Sequence, residues 1–237
     1  MMHNLDHRGV AGIIAGSVLA DVVDRHVPFG TTKQERMNQV NSLKDKWFRE
    51  HNVSSVMPTL GLNNLQWGGQ KAWAELHGNV IKAANTRHLI PFIDHLAASV
   101  YTDLSSQWDK SVCKVCALLC KVYGILYGCD HFLSQRELAD LQSCLYEFGV
   151  HFMALRQLSQ SRSKLFFQVT PKVHQMQHIV MQSRLINSRF TQCYCNESMM
   201  QRYVKMYKAS CSGPYQDRIV YTVCLKYLCA WSQEMDL

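Results

Sequence analysis

Residues 112–126, VCKVCALLCKVYGIL, decide the fold class. Their apolar positions are 112, 115, 116, 118, 119, 122, 123 and 126, which is helical spacing that covers much of the circumference. A helix apolar on so many sides belongs inside a bundle, so this stretch is read as a central helix. Cys113, Cys116 and Cys120 begin with a CxxC spacing. No second CxxC or HxxxH follows at finger spacing, and all three sit on one face of the apolar run. They read as core cysteines.

Downstream, Ser134 and Glu137 have capping-box spacing. Leu138, Leu141, Leu145, Phe148, Phe152 and Leu155 then form the cleanest amphipathic helix in the chain, interrupted by Gly149. Upstream, Pro91 fits the first turn of a helix over 89–101, and Ala72, Trp73, Leu76, Val80 and Ile81 share a helical face. Residues 51–69 contain Pro58, three glycines and several asparagines, and read as an irregular connection. Thr32 and Glu35 repeat the capping-box spacing ahead of Met37, Val40, Leu43, Trp47 and Phe48. Residues 10–24 are helical in pattern, with Gly9 and Gly12 near their start marking a turn or close approach. The expected class is mainly α, a multi-helix protein with at most a short strand or a small partial sheet.

Composition agrees with an ordered chain: of 237 residues, 47% are hydrophobic and 18% charged. The ten cysteines lie mostly within apolar runs and no secretory pattern opens the chain, so free thiols in an intracellular, non-secreted protein are expected. Every apolar window of spanning length carries charges, so no membrane partner is expected. There is no GxGxxG, GxxxxGK[ST], GxSxG or HExxH.

The charge is concentrated at one end. Residues 161–208 hold Arg162, Lys164, Lys172, Arg184, Arg189, Arg202, Lys205 and Lys208 against the single acid Glu197. That segment equals the whole formal charge of +7, so the remainder sums to zero. Such a field suits a polyanion. Within it, Pro171 opens a helix to about Ser183 that carries His174 and His178 on one face. Residues 189–195 alternate like a short strand, and Asn196 can cap a helix to about Ser210. Residues 219–231 have the pattern of a last amphipathic helix. A zinc site from Cys193, Cys195, His174 and His178 is conceivable but disfavoured, because no spacing joins the two pairs. Glu197 reads either as a first-turn acid complementing the helix dipole or as a divalent-metal ligand beside phosphate-binding cations. Asp6 reads as a turn aspartate or a second ligand.

PKVHQMQHI at 171–179 and NSRFTQCYCNESMMQRYVKMYK at 187–208 resemble the closing part of transposon-derived reading frames abundant in some protist genomes. HNLDHRGVAGIIAGSVL at 3–19, KAANTRHLIPF at 82–92 and LKYLCAW at 225–231 are similar in outline to further stretches of those frames. Such frames in turn resemble the large-insertion branch of DDE transposases, whose core is RNase H-like. The resemblance implies Asp6 as the second acid and Glu197 as the third, both catalytic and metal-binding with Mg²⁺ as cofactor. It implies DNA as partner, with Lys172, His174, His178, Arg184, Arg189, Arg202, Lys205 and Lys208 as nucleic-acid contacts. Residues 1–30 and the basic helical segment 166–237 would be core remnants around a helical insertion at 31–165. Asn196 stands where that family has an acid, and the resemblance places the first acid on a strand upstream of Met1, so that the chain would be a C-terminal piece. The implied function is therefore a truncated, catalytically incomplete, transposase-like DNA-binding protein of the nucleus. The alternative is a non-enzymatic helical module whose basic face meets RNA or an acidic protein.

Overall fold

Seven α-helices account for most of the described residues, which in this computed structural model are 9–53, 57–65, 72–76 and 83–191. They are α1 Val10–Arg25, α2 Lys33–Glu50, α3 Ala83–Val100, α4 Gln107–Gly128, α5 Gln135–Ser161, α6 Pro171–Gln175 and α7 Gln177–Ser183. No strand occurs among the described residues, which fits the mainly α expectation. They belong to one compact unit that ends at Thr191.

The centre is α1. Every residue from Val10 to Val23 is buried. Small residues make that possible: Gly12, Gly16 and Ser17 let backbone approach the helix directly. Leu76 donates its N–H to the Gly12 carbonyl at 3.0 Å. A Cβ on Gly16 would lie 2.4 Å from the backbone of Glu75. The Ser17 hydroxyl donates to the Ala74 carbonyl at 3.3 Å and accepts from the Phe167 N–H at 2.8 Å. Residues 72–76 are therefore not helical, contrary to the helical pattern read there. Ala74 and Glu75 give their N–H groups to Leu165 and Leu65 rather than to a helical turn. Val80 and Ile81 lie outside the described residues.

Around α1 pack α2, α3 and α4, and α4 forms a hairpin with α5, the most extensive helix pair described. Both capping boxes form: Thr32 and Ser134 accept the N–H groups of Glu35 and Glu137, whose carboxylates reach back. Helix α3 starts earlier than expected, so Pro91 lies inside it rather than in its first turn. The α4–α5 seam and the 165–167 segment share an aromatic core of Trp108, Phe148, Phe152 and Phe167, with ring centroids 5.5–6.1 Å apart. By length and composition α4 could cross a bilayer, but its buried residues, Trp108 to Leu126, form part of this core.

Buried polar groups tie the layers together. Asp21, 4% exposed, accepts from Arg25 Nε at 2.9 Å, the Tyr101 hydroxyl at 2.9 Å and Trp108 Nε1 at 3.1 Å. Arg36 donates to the carbonyls of Val23, Asp24, Gly30 and Thr31, closing the C-terminal end of α1. Asn41 exchanges two hydrogen bonds with the backbone of Leu60, and buried Lys44 donates to the Pro58 carbonyl at 2.9 Å. Together they hold the irregular connection against α2.

Candidate nucleic-acid interface

The basic segment begins at the edge formed by α6 and α7. Pro171 supplies the fixed φ of a first helical residue. The helix expected through Ser183 is divided at Met176, where the Ile179 N–H bonds the Met176 carbonyl in a tighter turn while the Met176 side chain is buried. His174 and His178 still meet across this step, their rings edge to face at 5.2 Å. His174 is exposed and His178 half-buried. Lys172 is half-buried, and Arg184, at the C-terminal end of α7, is exposed.

The next residues turn inward. Asn187 is fully buried and gives its amide to the carbonyls of Leu126 and Asp130 at 2.9 and 3.0 Å, while its N–H bonds His131 at 2.7 Å. Arg189 Nη1 donates to the Tyr127 carbonyl at 2.6 Å, and its guanidinium lies 4.8 Å from the centre of the Phe190 ring. Phe190 stacks on His131 at 3.8 Å. The NSRF stretch thus caps the C-terminal carbonyls of α4, where a cation also complements the helix dipole. Ser188–Thr191 is a 3-10 turn, not the start of a strand.

Four cations elsewhere in the bundle are engaged by the fold. Arg25 pairs with Asp21, and both Lys33 and Lys164 pair with Asp24. Burial opposes ionisation of Asp24, and the Lys164 and Lys33 ammonium groups outweigh it, holding the carboxyl below the usual aspartate range. Arg162 lies over Trp108 at 4.3 Å. From residue 165 to residue 196 the chain has no carboxylate, and Arg184 has no ion-pair partner among the described residues.

Asp6, Glu197, Arg202, Lys205, Lys208, Cys193 and Cys195 lie outside the described residues, as do the helices expected after Asn196 and over 219–231. Of the expected nucleic-acid contacts, the structure brings His174, His178, Lys172 and Arg184 to one edge and gives Arg189 an internal carbonyl partner. Among the described residues no group of three or more His, Cys, Asp or Glu side chains could hold a metal ion. Cys116 is buried, and Cys113 donates to the Ala97 and Tyr101 carbonyls, as expected of core cysteines. Burial pushes the Cys120 thiol up to about 11 and raises Cys113 and Cys116 as well.

A second feature of this edge was readable but is not part of the cationic pattern. Tyr146, Val150 and Met153 recur at helical spacing on the outer side of α5 and are exposed. They border a groove of about 630 Å³ between α5 and α6. No protein-family model, curated protein or solved structure matches the chain.

Proposed function

We propose that this chain is a non-enzymatic nucleic-acid-binding protein, a transposase-like remnant that meets DNA through its basic C-terminal stretch inside the nucleus. One observation carries the reading. Arg25, Lys33, Arg36 and Lys164 are matched by Asp21, Asp24 and backbone carbonyls, whereas the α6–α7 edge exposes His174 and Arg184 in a stretch without carboxylates. Phosphates supply the missing counter-charge, giving affinity without sequence choice. Lys172 and His178 flank this edge, and Arg202, Lys205 and Lys208 extend the same charge along the sequence.

The test is binding of labelled duplex DNA across a salt series. Log affinity should fall linearly with log salt, and Arg184→Ala should reduce the slope by about 1. A flat salt dependence refutes the reading; tighter binding of RNA at every salt concentration makes RNA the partner.

The origin as a C-terminal piece of an RNase H-like transposase rests on the sequence resemblance. That resemblance implies Asp6 and Glu197 as ligands of divalent ions. Mn²⁺ should then enhance water-proton relaxation, and Asp6→Asn or Glu197→Gln should remove the enhancement. Unchanged relaxation in both variants rejects that origin while leaving DNA binding to its own test.

A further inference from the structure

The groove along α5 adjoins the α6–α7 edge and shares His174 and Arg184 with it. Its main cavity continues into two smaller ones of about 250 and 350 Å³, which share Leu145, Tyr146, Gln142 and Gln177 along the way. Lining residues run from Gln135 to Gln157 on α5, a path of about 33 Å at helical rise. Phe148, Met176 and Val180 form a buried floor, while Tyr146 is 75% and Met181 63% exposed. A trough that is apolar over most of its length and turns polar at the Gln135 end marks an interaction site.

We infer that this groove receives an amphipathic helix of a partner protein, with its apolar face inward and a carboxylate at the end that meets Arg184. Three observations select this occupant. The walls offer aliphatic, aromatic and glutamine side chains, and α5 and α7 are helices with their backbones already bonded. An occupant entering here must satisfy its own backbone hydrogen bonds, which a helix does and an extended peptide does not. No Asp or Glu lines any of the three cavities, and Arg184 is shared by two of them, so an acidic end gains and a basic end is repelled. Nothing lies within 4 Å of the place a Cβ on Gly149 would take, so the α5 backbone is open for close approach at the middle of the groove.

The inference does not depend on DNA binding. The test is selection, on the full chain, from a phage-displayed library of 20-residue peptides. The library keeps apolar residues at helical spacing and randomises the charged positions. Enrichment over a library of scrambled spacing is expected, with Asp or Glu dominant near one end. Gly149→Leu and Val150→Asp, both with wild-type circular dichroism, should weaken the selected peptides at least tenfold. Arg184→Glu should reverse the preference toward Lys at the same end. Absence of enrichment, or selected peptides indifferent to all three substitutions, overturns the inference. So does sedimentation as a dimer that Gly149→Leu dissociates, which would make a second copy the occupant.

Discussion

Asp21 shows what a single residue does in this chain. Its carboxylate holds Arg25, Tyr101 and Trp108, drawing together α1, the end of α3 and the start of α4. Asp21→Ala leaves a buried hydroxyl, an indole N–H and a guanidinium without their acceptor. Urea denaturation should show a loss of about 3–5 kcal/mol, the scale for breaking a buried charged network. Nothing in the local sequence distinguishes Asp21 from a surface aspartate, because its buried partners Tyr101 and Trp108 lie 80 and 87 residues away. Gly16 is a similar case. Its neighbours read as helix formers, but the backbone of Glu75 occupies the space a side chain needs. Gly16→Ala should cost about 1–3 kcal/mol through displaced backbone, whereas Ala usually improves a helix. The cysteines, by contrast, were legible as core residues. With Cys120 held near 11, roughly one thiol in a thousand is ionised at pH 8. Iodoacetamide at that pH should label it slowly in the native state and fast in denaturant.

At the scale of elements, local chemistry accounts for helix starts and tertiary bonds account for the exceptions. Both capping boxes form because Ser or Thr and Glu three residues apart need no outside partner. Residues 72–76 have a helix-like pattern but gain bonds to α1, to residue 65 and to residue 165 that a helical turn would forfeit. Pro91 is accommodated within α3, where it removes one helical N–H that the packed faces of Leu89, Ile90, Phe92 and Ile93 offset. Gly149 lies within α5 with open space around its missing Cβ, so Gly149→Ala should raise stability by about 1 kcal/mol in thermal or urea unfolding. Asn187→Ala should lower it by about 2 kcal/mol, because the Leu126 carbonyl in the last turn of α4 and the Asp130 carbonyl just beyond it lose a buried donor.

For the molecule as a whole, charge is divided between structure and surface. Asp24 joins α1 to Lys33 and to Lys164, which is 140 residues away in sequence. Its folded-state pKa is below the unfolded value, so its contribution is complete above the ordinary aspartate pKa. It is lost as pH falls through the lower folded value. Wild type should therefore lose stability between about pH 4 and pH 2 more steeply than Asp24→Asn, as read from denaturant midpoints along a pH series. The same variant should leave the salt dependence of DNA binding unchanged, since Asp24 faces the bundle's own cations.

Periodicity, two capping boxes and the charge distribution were enough to determine a mainly helical chain, the core status of its central cysteines and a cationic C-terminal stretch. Those features depend on residues within about a turn of each other, or on simple counts. Tertiary structure alone decided that 72–76 is not helical and that Arg189 caps α4 while Arg184 faces outward. It also decided that α5 and α6 leave an apolar groove between them. Each of these turns on which distant backbone or side chain occupies the neighbouring space, such as Phe167 against Ser17 across 150 residues. A short-range pattern carries no record of such partners, so packing selects among conformations that the local sequence permits.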